Sequence, residues 1–217
     1  MSESGQEQLR QRLVIVGREL YQRRYVSACE GNISLRTGSG NVLISAAGSN
    51  LGKLNSADII EIDLAGKQTE TQTSRERGPS SESGMHLAVY IAREEISACV
   101  HSHAPYATAY AVAGKEPEED ILPEVVALVG PIRLTQYASP GTPEVGESLQ
   151  PFLSGCNAFL LKNHGLLTIG ESLKVAHQRH EIVESYLKIL TIASSLGNID
   201  KLPPAEITRL KRLLAES

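Results

Sequence analysis

The chain has 217 residues, 41% of them hydrophobic and 21% charged, which suits one globular domain with a sizeable core. Its net charge of −4 and its 4% aromatic content without tryptophan argue against a nucleic-acid footprint, a basic membrane patch or a stacking platform. No apolar run approaches the roughly 20 residues of a membrane-spanning helix, and the polar N-terminus lacks a signal-peptide core. Three scattered cysteines indicate reduced thiols. We therefore predict a single domain over residues 1–217, located in the cytoplasm, with neither nucleic acid nor membrane as a partner.

The N-terminal half predicts helices separated by short strands. Apolar residues at helical spacing predict a first helix near 7–25. Short apolar segments between glycine-rich turns then predict strands at 32–36, 41–45 and 59–63, with a hairpin turn at 65–67. A second helix should start near Ser81. After it we predict a strand that runs from Ile96 into the histidines at 101 and 103, a helix from Pro105 to Ala113, and an acidic loop at 114–123.

The C-terminal half repeats this mixture of elements. We predict strands at 125–129 and 132–134, a turn at 139–143, and a helix at 144–153. Two further strands, 157–161 and 166–169, are hinged at 164–165 and precede helices at 172–196 and 203–215. Because the connections are short and hairpin-like, the sequence predicts a largely antiparallel sheet flanked by helices.

The most informative motif is His101-Ser102-His103, followed about sixty residues later by Lys162-Asn163-His164-Gly165. Histidines two apart on a strand point to the same face, so both imidazoles can reach one ion. A third histidine from a distant turn would complete a three-nitrogen site with an open position for water or substrate. An isolated H-x-H pair is weak evidence for a metal, and the hypothesis depends on the rest of the chain.

One carboxylate and several turns made of small residues are candidates for the rest of such a site. Glu82 lies at a loop-to-helix junction, where it could act as a metal ligand or general base, or could simply be a carboxylate stabilised by the helix dipole. Ser80 and Ser81 could bind phosphate at the helix N-terminus or serve only as helix caps. The segments 31–34 and 45–49 add two small-residue turns whose amide groups could approach an anion.

Four motifs together resemble the class II aldolase/adducin family in order and approximate spacing: Gly31-Asn32-Ile33-Ser34, Pro79-Ser80-Ser81-Glu82, His101-Ser102-His103 and Lys162-Asn163-His164-Gly165. The resemblance extends from about Leu9 to Leu196. It implies a three-layer α/β/α fold with a largely antiparallel central sheet, and a homotetramer with active sites at subunit interfaces. It also implies one Zn²⁺ per subunit, with Mn²⁺ or Co²⁺ as alternatives.

The resemblance implies a metal-dependent aldolase. Its phosphorylated sugar substrate would be a ketose 1-phosphate, such as L-fuculose 1-phosphate or a related deoxy-ketose phosphate, cleaved reversibly to dihydroxyacetone phosphate and a small aldehyde. By position, the metal ligands match His101, His103 and His164, while Glu82 matches the catalytic carboxylate that can also bind the metal. The phosphate pocket matches Gly31, Asn32, Ala47, Gly48, Ser80 and Ser81. The family often has threonine at Ala47, so this chain lacks one hydroxyl there.

The resemblance also leaves alternatives open. Sugar-phosphate aldolases of this family carry one tyrosine near the segment aligned with 122–124 and another in the C-terminal tail, and this chain has neither. Glu124 could replace the first tyrosine as proton donor to the aldehyde oxygen, or be a solvated loop acid.

The competing functions are a pentulose-phosphate 4-epimerase, a methylthioribulose-phosphate dehydratase and, less favoured, a non-catalytic adducin-like module. The epimerases generally carry Asp at the Glu82 position and the dehydratases lack a carboxylate there, so Glu82 favours an aldolase. The remaining histidines are interpreted as surface or packing residues: His86, His177 and His180.

Overall fold

A computed structural model describes residues 3–69 and 77–216. Its seven strands form one sheet in the order β3-β2-β1-β4-β7-β6-β5. Each neighbouring pair is antiparallel except β5–β6, which is parallel. The strands are β1 (Asn32–Arg36), β2 (Val42–Ser45), β3 (Ile59–Ile62), β4 (Ala98–Ser102), β5 (Ile132–Leu134), β6 (Ala158–Leu161) and β7 (Gly165–Gly170).

Helices cover both faces of this sheet. The helices are α1 (Glu3–Gln22), α2 (Ser83–Ala92), α3 (Pro105–Ala113), α4 (Pro123–Leu128), α5 (Pro143–Leu149), α6 (Leu173–Leu196) and α7 (Pro204–Glu216), and 3₁₀ turns occur at Leu51–Lys53 and Ser56–Asp58. One face packs against α2 and α5, and the other against α1, α3, α4 and α6. Within the described residues, none of these helices combines the length and apolarity needed to cross a bilayer. The predicted three-layer α/β/α fold with a largely antiparallel sheet is confirmed.

Strand alternation explains how one sheet serves two apolar layers. In β4, Ala98 and Val100 pack towards α1 and α6, while Cys99 packs towards α2. His101, two residues after Cys99, therefore lies on the α2 face. The central position of β4, between β1 and β7, places the segment that carries the paired histidines in the middle of the sheet.

Most predicted elements are confirmed, including the hairpin turn around Gly66, where the Gly66 N–H donates to the Asp63 carbonyl at 3.0 Å.

The predicted strand at 125–129 is wrong, because these residues belong mainly to α4. The Leu122 carbonyl accepts from the N–H groups of Val125 and Val126 at 3.1 and 3.2 Å. Pro123 suits the first helical turn, and burial at 125, 126 and 129 follows a helical spacing. Tertiary packing thus overrides the strand preference of the valines. The predicted helix at 144–153 is shorter in the structure and ends at Leu149.

Candidate active site

Three histidines meet at one end of the sheet. His101 is in β4, His103 directly follows that strand, and His164 lies in the turn between β6 and β7. The ring centroids are 5.3 Å apart for His101 and His103, 4.7 Å for His101 and His164, and 5.1 Å for His103 and His164. One ligand nitrogen from each ring lies within 4.8 Å of the others. The three histidines predicted as metal ligands are therefore brought together by the fold.

Glycines allow the backbone to close around this cluster. A Cβ on Gly31 would lie 2.6 Å from the His101 carbonyl oxygen, and one on Gly165 would lie 2.4 Å from the Ser102 carbonyl oxygen. The hypothetical Cβ of Gly165 would also lie 2.9 Å from the His103 ring. A side chain at either position would push against the strand that carries the histidines.

The Glu82 carboxylate lies against the same cluster. Its Oε1 is 3.0 Å from His164 Nε2, and its Oε2 is 3.4 Å from His101 Nε2. Glu82 precedes α2 without capping it through its side chain, so the alternative of a simple helix-end carboxylate does not describe its contacts. Among the described residues, two buried atoms of this cluster have no hydrogen-bond partner, Oε1 of Glu82 and Nε2 of His101, although the two side chains lie next to each other.

This donor set fits a divalent cation. His101 Nδ1 lies 2.9 Å from the Leu166 carbonyl, which can only accept, so Nδ1 carries a proton and Nε2 is the nitrogen directed at the site. A carboxylate oxygen and an imidazole nitrogen with unused lone pairs are ligands rather than hydrogen-bond partners for one another. His101, His103, His164 and Glu82 would hold such an ion.

In the metal-free protein, burial and the neighbouring imidazole rings change the pKa values of His103 and Glu82. Burial, with the adjacent charges of His101 and His164, lowers the pKa of His103 to about 4. Burial acts to raise the pKa of Glu82, but the close approach and charge of the His101 and His164 rings outweigh it and leave that pKa well below its usual range. At neutral pH, Glu82 is therefore a carboxylate and His103 a neutral imidazole, the forms that bind a metal.

A cleft of about 490 Å³ opens beside the histidines. Small polar residues line one side of it, including the predicted phosphate residues Gly31, Asn32, Gly48, Ser80 and Ser81. Ala47 is on the same turn but does not line the cleft, and its N–H donates to the Gly78 carbonyl at 3.0 Å. The described lining contains neither lysine nor arginine, so an anion there would be held by neutral donors, by the N-terminus of α2 and by a bound cation.

Ser49 is a residue of the cleft that could not be singled out from the sequence. Ser49 is 6% exposed and lines the cleft, and its Oγ is buried without a hydrogen-bond partner among the described residues. It follows Gly48, whose φ of +65° turns the chain towards the cleft. The small-residue turn was visible in the sequence, but the burial of one of its hydroxyls beside the cleft depends on the tertiary structure.

Glu124 is not brought to the cluster within one chain. It occupies the exposed first turn of α4 and is absent from the cleft lining. Its predicted role as a proton donor therefore stays a prediction that requires an adjacent subunit. The other histidines lie outside the metal cluster: His86 and His180 are fully buried, and His177 is 8% exposed beside Glu19 and Glu181.

Comparison with known families gives the same assignment as the motifs. Residues 11–191 match the model of the class II aldolase and adducin N-terminal domain. The chain belongs to this family. A family member from Methanococcus vannielii, an L-fuculose phosphate aldolase, is 36% identical over 178 residues, covering 81% of this chain and 92% of that protein. A 3-oxo-tetronate 4-phosphate decarboxylase from Pectobacterium atrosepticum is 32% identical over 193 residues, covering 87% and 86%.

Solved structures support the same family. An L-fuculose 1-phosphate aldolase structure superposes with a TM-score of 0.86 at 29% identity, covering 98% of this chain and 96% of that one. The chain is therefore an enzyme of the class II aldolase type, a lyase. Class II aldolases use a divalent metal, and the three clustered histidines are able to bind one.

Proposed function

We propose that the protein is a Zn²⁺-dependent lyase that breaks a carbon–carbon bond in a phosphorylated ketose or 3-oxo acid and releases dihydroxyacetone phosphate. The observation that carries this proposal is the position of the Glu82 carboxylate, which contacts two histidines of the triad and also lines the cleft of neutral donors. A metal-polarised carbonyl, a proton-transfer group and an anion pocket would thus be adjacent.

Each part of the site would contribute to one step. A divalent ion on the histidines would supply Lewis-acid polarisation of the substrate oxygens. Asn32, Ser80 and Ser81 would hold the phosphate and so position the bond to be broken. Glu82, which is ionised at neutral pH, would pass a proton from solvent to the carbon from which that bond has been broken, or remove it in the synthetic direction.

The leading reaction is aldol cleavage of a ketose 1-phosphate such as L-fuculose 1-phosphate. Glu82 supports cleavage over epimerisation and dehydration, and the complete set of three histidines argues against a non-catalytic module. Aldol cleavage also requires a base that takes the proton from the hydroxyl that becomes the aldehyde. Glu124 of an adjacent subunit is our candidate for that group, which agrees with the expected homotetramer and its interfacial sites. Light scattering tests this assembly, since a mass near a single 23.4 kDa chain would contradict it.

Decarboxylation of a 3-oxo acid 4-phosphate is a second candidate. One relative, which matches this chain over 86% of its own length, is named a 3-oxo-tetronate 4-phosphate decarboxylase. Loss of CO₂ from such a substrate, followed by protonation of the carbon, also yields dihydroxyacetone phosphate. This reaction needs no second base, because no hydroxyl has to lose its proton to become an aldehyde. This reaction would therefore use only residues that one chain brings together, with Glu82 passing a proton from solvent to that carbon.

One experiment tests both reactions. The Zn²⁺-loaded enzyme is incubated with a panel of ketose 1-phosphates and with 3-oxo-tetronate 4-phosphate, and dihydroxyacetone phosphate is measured with the co-product. An aldehyde identifies an aldolase and CO₂ identifies a decarboxylase. Metal-stripped enzyme serves as the control. Failure to release dihydroxyacetone phosphate from any of these compounds would refute the proposal.

A further inference from the structure

A buried chain of polar side chains connects the sheet to Glu82. It begins with Asn32 and Ser34, which are two apart on β1 and share a face, and it continues to His86 and Tyr90 on α2. These four side chains are between 0% and 3% exposed. Ser34, His86 and Tyr90 have no part in the function proposed above.

The Glu82 end fixes the orientation of the Asn32 side chain. Asn32 Nδ2 donates to Glu82 Oε2 at 2.7 Å. A carboxylate can only accept, so the amide nitrogen faces Glu82 and the amide oxygen faces away from it. That oxygen, Oδ1, lies 2.5 Å from Nε2 of His86.

This orientation in turn fixes the tautomer of His86. An amide oxygen can only accept, so the proton of the ring is on Nε2. Burial lowers the pKa of His86 to about 3, which leaves the ring neutral and Nδ1 unprotonated. Nδ1 therefore accepts from Ser34 Oγ at 2.7 Å, and Ser34 Oγ accepts from the Tyr90 hydroxyl at 2.6 Å. Every hydrogen bond in the chain thus runs in one direction, from Tyr90 to Glu82.

We propose that His86 is a positioning residue that locks the Asn32 amide with its nitrogen towards the site, so that one N–H holds Glu82 and the other is presented to a substrate phosphate. Asn32 lines the cleft as well as contacting Glu82, so one nitrogen can serve both groups. This inference rests on the proposed function, because it assumes that Glu82 moves a proton and that the cleft binds phosphate.

The lock matters because the opposite orientation of Asn32 is harmful. A flipped amide would direct its oxygen at the Glu82 carboxylate and at an incoming phosphate, both of which are acceptors with negative charge. It would leave two buried acceptors without donors. The His86 N–H makes that flip unfavourable, since the flipped NH₂ group would face a ring nitrogen that already carries a proton.

Two substitutions of His86 separate positioning from packing. In His86→Gln, the amide nitrogen occupies about the place of Nε2 and can still donate to Asn32. In His86→Asn, the shorter amide occupies about the place of Nδ1 and reaches Ser34 but not Asn32. With the Zn²⁺-loaded enzyme we expect His86→Asn to lower kcat and to weaken binding of inorganic phosphate about tenfold each. His86→Gln should remain within about threefold of the wild type on both measurements, and both variants should retain one Zn²⁺ per chain.

A matched tyrosine pair controls for stability. Tyr90 and Tyr186 are both 1% exposed, and each hydroxyl is hydrogen-bonded: that of Tyr90 to Ser34 in the core, and that of Tyr186 to the Glu118 carbonyl in a part-buried bond away from the cleft. Tyr90→Phe should weaken phosphate binding about threefold, whereas Tyr186→Phe should leave it unchanged. Equal effects of the two His86 variants, or of the two tyrosine variants, would show that only stability is affected. If the His86 variants do not fold, the tyrosine pair decides.

A spectroscopic measurement is independent of turnover. In protein labelled with ¹⁵N-histidine, the long-range ¹H–¹⁵N correlation of the His86 ring should show the Nε2–H tautomer at pH 7. An Nδ1–H tautomer would overturn the inference even if the enzyme is active. Failure of the substrate panel would instead refute the proposed function and leave this measurement valid.

Discussion

Replacing Glu82 by glutamine isolates proton transfer from the other functions of the site. The Glu82 side chain is 11% exposed and glutamine has nearly the same volume, so we expect the fold to be retained. The amide oxygen of glutamine can still accept from Asn32, as Oε2 does at 2.7 Å. The amide cannot take up or release a proton at neutral pH. The three histidines remain as metal ligands, although the loss of one anionic oxygen should weaken Zn²⁺ binding.

The expected loss follows from the role assigned to this group. General acid–base catalysis contributes about 10²–10⁴-fold, or about 2.7–5.4 kcal/mol of transition-state stabilisation. Initial rates of dihydroxyacetone phosphate release are measured at saturating Zn²⁺, so that weaker metal binding does not contribute. Glu147→Gln on the exposed surface of α5 removes the same charge and should retain the wild-type rate. A wild-type rate for Glu82→Gln would refute the assignment of Glu82 as the proton-transfer group.

Four further predictions use other parts of the structure. His103→Ala should purify with less Zn²⁺ than the wild type by elemental analysis, and equal contents would contradict the assigned ligand set. Ser49→Ala should weaken binding of inorganic phosphate about tenfold or more in calorimetry, since a hydrogen bond to a charged group contributes about 1.5–3 kcal/mol, and an unchanged affinity would exclude Ser49 from the pocket. Glu124→Gln should lower aldol turnover at least about tenfold at constant metal content, and an unchanged rate would leave it a solvated acid. Burial lowers the pKa of His86 to about 3 and that of His180 well below 6.5, so both rings take up a proton when the protein unfolds below pH 6.5. As the pH is lowered below 6.5, the free energy of unfolding should therefore decrease by up to about 1.4 kcal/mol per pH unit for each histidine. Denaturant titrations of the metal-free protein at pH 7, 6 and 5 would measure this decrease, and a constant value would contradict it.

Local rules were sufficient to predict the part of the site that lies on one strand. His101 and His103 could be grouped because strand alternation places residues two apart on one face. The turn motif suggested His164 as a third ligand, but whether it reaches the other two depends on the pairing of β4 with β7. Glu82 was identified as a candidate, but its contacts with two histidines depend on how α2 packs on the sheet.

The failures have a common physical origin in tertiary contacts. Val125 and its neighbours have a high strand preference, yet their burial against α6 and α7 selects a helix. His86 was assigned only to packing, because its bond to Asn32 joins residues 54 positions apart. The burial of the Ser49 hydroxyl likewise depends on how its turn packs beside the cleft. Sequence periodicity carries no information on such pairings.

The two glycines that flank the end of β4 have a consequence for metal binding. Gly31 and Gly165 let the neighbouring backbone approach the carbonyls of His101 and Ser102 so closely that this segment has little room to shift. The three imidazoles are therefore held in a cluster before any ion arrives. An ion that accepts this spacing needs little rearrangement of the polypeptide, whereas Mg²⁺, which demands octahedral oxygen ligands, gains little from it. The main chain in this way preorganises the ligand nitrogens, through two positions that carry no side chain.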